Sequence, residues 1–231
     1  MKRIVQPELL DLLPAGDPRI LRTHRDLHRI NAMMGNPGIM AQTLRRAAAP
    51  GRIPGKITEL GAGDGHFLLR VAQGVAAIWP DMNATLLDRR KSVSAETLAA
   101  FAKVGWRAEA VVADVFDGLA APVEVVVANL FLHHLEDARL AELFRAVAVR
   151  ARLFVGIEPR RGAWPLFCCR WLWMFGCSYV TRHDAVLSVR AGFSGLELSG
   201  LWPADGDWQL AERRAGPFSH LFVAQKTADR A

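Results

Sequence analysis

A glycine-rich turn follows a short apolar run and precedes a helical pattern near residue 60. Its glycines alternate at Gly61, Gly63 and Gly65, which lets the chain turn tightly and lets a ligand approach main-chain N–H groups. Turns that bind dinucleotides have the different spacing G-x-G-x-x-G. Because the acidic Glu59 and Asp64 belong to the same stretch, the turn is predicted to favour a ligand that carries an amino group and to disfavour a pyrophosphate.

Two aspartates stand at the ends of the next two predicted strands. Asp88 closes the stretch NATLLD and is placed to accept hydrogen bonds from a ribose diol. Asp114 closes the stretch AEAVVAD and suits the exocyclic amine of an adenine. Open sheets bind their ligands at the carboxyl edge of the strands, so the glycine turn and both aspartates are predicted to form one site.

Two adjacent histidines follow the fourth predicted strand. A histidine has the near-neutral pKa that a general base needs, so His133 and His134 are candidate catalytic residues. His24 and His28 lie four residues apart on a predicted helix, which is the spacing of helical metal ligands. No third ligand is evident and the helix is rich in arginine, so this face is expected to meet solvent and no metal site is predicted.

The elements that must position these residues alternate along the chain. Apolar strands separated by helices indicate a parallel sheet covered on both faces, an α/β fold. The predicted strands are KITEL, NATLLD, AEAVVAD, VEVVVANL and RLFVGIE, then the closing strands LELSGLW and HLFVAQK, with DWQLAERR a strand or a loop. The predicted helices cover residues 66–78, 93–104 and 137–150. Residues 1–50 are predicted to form an N-terminal helical cap, and residues 51–231 the ligand-binding domain.

An apolar insertion covers about residues 162–192, after the fifth strand. Its aromatic residues recur at i, i+3, i+7 and i+11, which predicts one stripe on a helix. They are Trp164, Phe167, Trp171 and Phe175. Three interpretations remain open: a core or dimer helix, a lid over a hydrophobic substrate, and a helix at a membrane surface. Met33 and Met34 are predicted to be adaptable walls of the substrate pocket.

The bulk composition says little about the class of function. The 29 lysines and arginines exceed the 23 acidic residues and give a formal charge of +6, but the arginines are spread along the chain, which argues against a nucleic-acid patch. The three cysteines lack the spacing of a zinc site. The N-terminus lacks the apolar core of a signal peptide, so a reduced, cytoplasmic protein is expected.

Taken as a set, the stretch ELGAGDG, Asp88, Asp114 and the stretch NLFLHHL resemble the successive motifs of class I S-adenosylmethionine-dependent methyltransferases. The resemblance covers roughly residues 55–160, with a weaker match at residues 196–226. It implies a seven-stranded, doubly wound, mostly parallel sheet whose last strand is antiparallel, and the cofactor S-adenosyl-L-methionine (SAM). NLFL lacks the Asn/Asp-Pro-Pro-aromatic segment of members that methylate nucleobase or glutamine amines, so nucleic acid is not expected as a partner.

Carried over position by position, the resemblance assigns the cofactor to ten residues. They are Glu59, Gly61, Ala62, Gly63, Asp88, Arg89, Asp114, Val115, Asn129 and Leu130. The first four are expected to border the methionine part, while Asp88 and Asp114 bind the ribose hydroxyls and the adenine amine. Asn129 and Leu130 are expected to flank the reactive methyl group.

The predicted function is O-methylation of a small hydrophobic acceptor, phenolic or polyketide-like, with His133 or His134 as general base. The substrate pocket is assigned to Met33, Met34, Trp164, Phe167 and Trp171. The alternatives are C-methylation of a quinone-like or prenylated ring, and a non-catalytic cofactor-binding scaffold. The acceptor is the expected partner, while peripheral membrane contact and the choice between monomer and homodimer remain open.

Overall fold

The structure of the protein is a computed structural model that describes residues 1–14, 16–47, 54–119, 123–204 and 207–227. Its strands are β1 (Lys56–Leu60), β2 (Asn83–Asp88), β3 (Arg107–Val112), β4 (Val125–Asn129), β5 (Leu153–Pro159), β6 (Trp208–Ala215) and β7 (Ser219–Lys226). Its α-helices are α1 (Leu9–Leu12), α2 (Pro18–Met34), α3 (Asn36–Ala47), α4 (His66–Val75), α5 (Ala95–Lys103), α6 (Val115–Gly118), α7 (Asp137–Arg150), α8 (Ala163–Cys169), α9 (Tyr179–Ala191) and α10 (Glu197–Leu201).

The seven strands form one sheet in the order β3-β2-β1-β4-β5-β7-β6. The neighbours from β3 to β5 pair in parallel, and β7 pairs antiparallel with both β5 and β6. This arrangement confirms the predicted mostly parallel sheet with an antiparallel last strand. The strand order reverses between β1 and β4, which is where open α/β sheets bind their ligands, so the carboxyl ends of these strands mark the site.

Helices cover both faces of the sheet because its central strands are apolar on both sides. Val125 and Val127 of β4 belong to one core with residues of α3, α4 and α5, whereas Val126 belongs to the other core with residues of α7 and α10. This alternation follows the two-residue period of a strand. In the second core, Phe144 is fully buried and meets Phe154 edge-on at 5.5 Å between ring centroids.

The N-terminal helices pack on the sheet domain. α2 ends at Gly35 in the left-handed conformation, and α3 begins at the next residue, so the two helices meet at a corner. Met40 and Leu44 of α3 are fully buried in the same core as Val125. α3 therefore supports the sheet, while α2 lies over its carboxyl edge. The predicted domain boundary at residue 50 lies outside the described residues.

One predicted closing strand is wrong. The stretch LELSGLW contains α10 instead, because Leu198 and Trp202 lie four residues apart and both turn into the core. The carboxylate of Glu212 accepts hydrogen bonds from the N–H groups of Leu198 and Ser199, near the start of this helix. The strand of this region is β6, which contains most of DWQLAERR.

The aromatic stripe predicted for the insertion does not lie on one helix. α8 ends at Cys169, and a separate 3-10 turn over Leu172–Phe175 follows it and closes at Gly176, whose φ is +71°. The insertion is therefore a bent segment rather than a rod. Within the described ranges, no helix is long and apolar enough to cross a bilayer.

Candidate functional site

A cavity of about 1390 Å³ opens at the carboxyl edge of the sheet, beneath α2. It is larger than the roughly 300–1,000 Å³ of an ordinary ligand pocket, so it has room for two molecules. All ten residues assigned to the cofactor line it, as do most of the other predicted residues. These are His133, His134, Met33, Met34 and Trp171. Trp164 and Phe167 lie outside this lining with exposed side chains, contrary to their assignment to the substrate pocket.

The glycine turn is shaped by left-handed backbone conformations at three positions. Gly61, Gly63 and Gly65 have φ values of +65°, +55° and +76°, which only glycine adopts without strain. A Cβ atom at Gly61 would lie 2.7 Å from Phe131 Cγ, whereas one at Gly63 would meet no described atom within 4 Å. Gly63 has no side chain, so its backbone is open to the cavity. Its N–H group donates to Asp88 Oδ2 at 2.8 Å, which fixes its position.

Replacing Gly61 with alanine is expected to destabilise the fold by about 2–4 kcal/mol, because left-handed strain adds to the overlap with Phe131. The matched variant Gly63→Ala is expected to lose only about 1–2 kcal/mol from strain. Urea denaturation of both variants measures the difference in the free energy of unfolding. Equal losses would mean that Phe131 moves aside and that the close approach at Gly61 is unimportant.

Glu59 is a buried acid with an unsatisfied oxygen. Its side chain lies at the end of β1, and its Oε2 has no hydrogen-bond partner among the described residues. Burial, then the charges of Asp64 and Asp88, raises the pKa of Glu59 well above its ordinary value. A buried polar atom without a partner is costly, and a bound amino group would satisfy it. An acceptor oxygen at this end of the cavity therefore fits the amino group of a methionine-like ligand.

The side chain of Asn129, at the end of β4, is held by a buried amide network. Its Oδ1 accepts from Asn36 Nδ2 and its Nδ2 donates to Asn31 Oδ1, both at 3.0 Å. Ser219 of β7 donates to Asn36 Oδ1 at 2.6 Å. The next residue, Leu130, has a φ of +52°, which is a strained conformation for a bulky side chain. The network ties the N-terminal helices to the strand end and holds this strained turn in place.

His133 lies between two carboxylates on the 3-10 turn that follows β4. Its side chain is only 3% exposed, and its Nδ1 lies 2.8 Å from Glu158 Oε2 at the end of β5. Glu158 Oε1 also accepts hydrogen bonds from the N–H groups of Phe131 and Leu132 at 3.0 and 2.8 Å. On the other side of the ring, His133 Nε2 lies 3.4 Å from Glu8 Oε1. Glu158 thus fixes both the loop and the orientation of the imidazole.

The two carboxylates decide the charge of His133. Burial alone would lower its pKa, but the hydrogen bond to Glu158 and the nearby carboxylates of Glu158 and Glu8 outweigh burial and raise the pKa to about 9. The pKa of Glu8 is lowered in turn, because its interactions with His133 and His134 outweigh its own burial. With the N-terminal segment in place, His133 is therefore an imidazolium at neutral pH.

His134 has a looser environment. Its side chain is 27% exposed, and its nitrogens lie 3.5 Å from Asp11 Oδ2 and 4.0 Å from Glu8 Oε2. The ligand atoms of Glu8, His133 and His134 lie within 4.8 Å of one another, a spacing that a metal ion could use. We assign the group to ion pairing because the charge on His133 is balanced by Glu8 and Glu158. Of the two histidines, only His133 is oriented by a buried carboxylate in the manner of a catalytic base.

The N-terminal segment that carries Glu8 is held over this loop. Asp184 of α9 accepts hydrogen bonds from the N–H groups of Leu9 and Leu10 at 2.8 and 2.9 Å. The guanidinium of Arg3 donates to the carbonyl oxygen of Leu135 at 2.7 Å, directly beyond the histidine pair. Glu8 therefore reaches His133 from a segment that is attached to α9 and to the loop itself.

His24 and His28 face the glycine turn rather than solvent. His28 Nε2 lies 2.7 Å from Asp64 Oδ2, and His24 Nδ1 lies 3.8 Å from the same oxygen. The ring of His28 stacks on that of His66 at 3.9 Å between centroids. The expectation that both histidines meet solvent is wrong, because Asp64 at the tip of the turn attracts them to the cavity.

The overall similarity to solved structures is high and the sequence similarity is low. No protein-family model matches the sequence, and the search of curated proteins finds no match. The plantazolicin methyltransferase BpumL in complex with SAH has a TM-score of 0.63 and 12% identity, with 91% of each chain covered. An O-methyltransferase family protein from Burkholderia thailandensis has a TM-score of 0.60 and 17% identity, over 92% of this chain and 61% of that one. The chain has the class I methyltransferase fold.

Within this methyltransferase fold, sequence reasoning missed five residues that shape the site. They are Glu8, Asn31, Asn36, Glu158 and Asp184. Glu158 could have been noticed in the sequence, because it ends the apolar stretch RLFVGIE and acidic residues are rarely buried without a partner. The others lie in the N-terminal helices or in the insertion, where no motif distinguishes them from ordinary polar residues.

Proposed function

We propose that the protein is a SAM-dependent methyltransferase that methylates a hydroxyl group of a small hydrophobic acceptor, phenolic or polyketide-like. The observation that carries the proposal is one cavity lined by all ten cofactor positions and by His133, which the buried Glu158 orients. Its volume of about 1390 Å³ suits a cofactor and an acceptor together.

The residues present fit the cofactor. Asp88 would hold the ribose hydroxyls and Asp114 the adenine amine, while the unsatisfied oxygen of Glu59 would meet the amino group. When bound, SAM supplies a methyl group on an activated sulfonium centre. What remains for the protein is to position the acceptor and to exclude water, which lowers the barrier of such a displacement.

The acceptor side of the cavity is apolar. Met33 and Met34 of α2 line the cavity, as do Trp171, Leu172 and Phe175 of the insertion. Methionine side chains adapt to varied apolar shapes, and aromatic rings pack well against a phenolic ring. A plantazolicin methyltransferase has been solved with a triazolic desmethylPZN analog, which supports a bulky small-molecule acceptor rather than a macromolecule.

His133 is the proposed general base, acting through Nε2. In the described state that nitrogen faces Glu8 at 3.4 Å, so Glu8 must withdraw and a proton must leave before an acceptor hydroxyl can bind there. Glu158 holds Nδ1 and stabilises the imidazolium that forms when the acceptor proton arrives. Glu158 stays beside Nδ1 when Glu8 withdraws, so it still raises the pKa of His133 toward that of a phenol, which is about 10, and reduces the cost of the transfer.

The pH dependence of kcat/KM should reflect the two carboxylates beside His133. Since the base must be neutral, kcat/KM for a phenol is expected to rise with pH up to about 9. The Glu8→Gln variant should move the midpoint to lower pH, because one of the two carboxylates that stabilise the imidazolium is lost. Ser188→Ala, which removes a neighbour of Glu8 and keeps the charge, is the matched control. An unchanged midpoint in Glu8→Gln would rule out control of His133 by Glu8.

Product analysis distinguishes the remaining alternatives. Purified protein, methyl-labelled SAM and a panel of phenols and quinols are incubated, and NMR locates the labelled carbon. A label on oxygen supports the proposal, and a label on ring carbon supports C-methylation instead. SAM binding without turnover of any acceptor would favour a cofactor-binding scaffold.

A further inference from the structure

The insertion exposes an unusual concentration of large apolar side chains. Six of them within residues 164–175 are each at least 47% exposed. We call this group the aromatic rim. Its members are Trp164, Phe167, Trp171, Trp173, Met174 and Phe175. Isolated exposed apolar residues are ordinary, but contiguous ones indicate a binding surface.

The exposure follows from the way the segment is anchored. Pro165 and Cys169, four residues apart on α8, are buried, and the thiol of Cys169 reaches the carbonyl oxygen of Ala185 on α9 at 3.5 Å. The small side chains therefore face inward and the large ones face outward. The outer rings also contact one another, with Phe167 at 6.0 Å from Trp164 and 6.3 Å from Trp171 between centroids. Trp164, Phe167 and Trp171 thus form a continuous row of rings within the rim.

The charge around the rim has one sign. Between residues 160 and 183 the chain contains four arginines and no acidic residue. One of the four, Arg161, is buried and pairs with Glu197, which leaves three. Arg170 is exposed within the rim itself. Alongside, α2 exposes Arg22, Arg25 and Arg29, while the acidic residue of this helix, Asp26, is buried. Asp26 accepts from the N–H group of Ser178 at 2.8 Å, so the arginine face of α2 borders the rim.

The rim is also the mouth of the cavity. Trp171 and Phe175 line the cavity, although their side chains are about half exposed. Met33 of α2, which is 51% exposed, lines the same cavity. An apolar molecule that leaves the cavity would therefore pass directly into whatever covers these side chains.

We propose that the aromatic rim docks the protein on an anionic lipid bilayer, with its aromatic side chains in the headgroup region and its arginines against lipid phosphates. Tryptophan and arginine are the residues that favour this interface. Docking does not depend on the proposed chemistry, but it would let a lipophilic acceptor enter the cavity from the membrane. The surrounding arginines favour an anionic lipid surface over a second, equally basic copy of this chain.

Vesicle sedimentation tests the proposal. The full chain is expected to bind phosphatidylcholine vesicles that contain about 30% phosphatidylglycerol at least tenfold more tightly than pure phosphatidylcholine vesicles, and to lose most binding in about 0.5 M salt. The double variant Trp164→Ser/Trp173→Ser, whose residues lie outside the cavity lining, should bind the anionic vesicles at least about tenfold more weakly. The matched control is Val149→Ser/Leu196→Ser, with side chains 80% and 66% exposed away from the insertion and α2, which should bind like the wild type.

The outcomes are separable from those of the methyltransferase proposal. Calorimetric binding of SAM to the Trp164→Ser/Trp173→Ser variant should equal that of the wild type, because neither residue lines the cavity. The docking proposal is wrong if the wild-type protein does not bind anionic vesicles. It is also wrong if the double variant binds them as tightly as the control variant does. A wild-type dimer in light scattering that the same variant converts to a monomer would assign the rim to a second copy instead, and would also overturn it.

Discussion

Replacing His133 with glutamine is expected to lower the turnover of a phenolic acceptor by about 10²- to 10⁴-fold, the contribution of a positioned general base. The variant keeps a side chain that can donate to Glu158 but cannot take a proton. The measurement is kcat with a phenol and with a nitrophenol that is already ionised at the assay pH. Only the first substrate should be strongly affected, since the second brings no proton to remove.

His134→Gln is the control for this experiment, because His134 lies beside His133 but its nearest carboxylate oxygens are 3.5 and 4.0 Å away, compared with 2.8 Å for His133 and Glu158. It should change the turnover of the phenol by less than about tenfold. If both acceptors slow equally in His133→Gln, the histidine positions the substrate and is not a base. If His134→Gln has the larger effect, the assignment within the pair is reversed.

A stability measurement on His133→Gln is independent of activity. The folded-state pKa of His133, about 9, lies above the ordinary value of about 6.5. The charged form therefore stabilises the fold by an amount on the order of 3 kcal/mol below about pH 6.5. This contribution is lost as the pH rises through 9. The difference in the free energy of unfolding between wild type and variant should shrink over this window, and a constant difference would contradict the raised pKa.

Replacing Asp88 with alanine is expected to weaken SAM binding by at least about 100-fold, because two hydrogen bonds from the ribose to a charged acceptor would be lost. In the described state Asp88 accepts from the N–H groups of Gly63 and Arg90, both at 2.8 Å. The carboxylate therefore also holds the glycine turn in shape. Calorimetric titration with SAM and with S-adenosylhomocysteine measures the loss.

Asp117→Ala is the matched control, since Asp117 is an exposed acid outside the cavity lining. It should bind SAM like the wild type. Thermal unfolding without ligand separates loss of the turn from loss of the ribose contact. Asp88→Asn keeps an acceptor for one of the two N–H groups, which donate to different oxygens of Asp88, so it should recover part of the stability of the wild type. Full affinity in Asp88→Ala would contradict the cofactor assignment and leave the cavity in need of another ligand.

Short sequence motifs at the ends of predicted strands were enough to predict which residues line the cavity near the sheet edge. The alternate glycines, Asp88 and Asp114 each follow an apolar strand, and parallel strands present their carboxyl ends at one edge. Their placement around one cavity follows from the strand order alone. Helix and strand periodicity was less reliable where tertiary contacts decide. Leu198 packs into the core from α10 and Trp202 from the residue after it, although LELSGLW fits the pattern of a strand equally well.

The sequence by itself determined the α/β fold, the glycine turn and the position of a histidine pair after β4, because these depend on local conformational preference and on the period of apolar residues. Only the tertiary structure decided which histidine is oriented and charged. Glu8 and Glu158 approach His133 from 125 and 25 residues away, and ion pairs at such separations leave no periodic trace in the chain. The same holds for the aromatic rim: whether a stripe of tryptophans is core or surface depends on what packs beneath it, and here small buried side chains took the inner face.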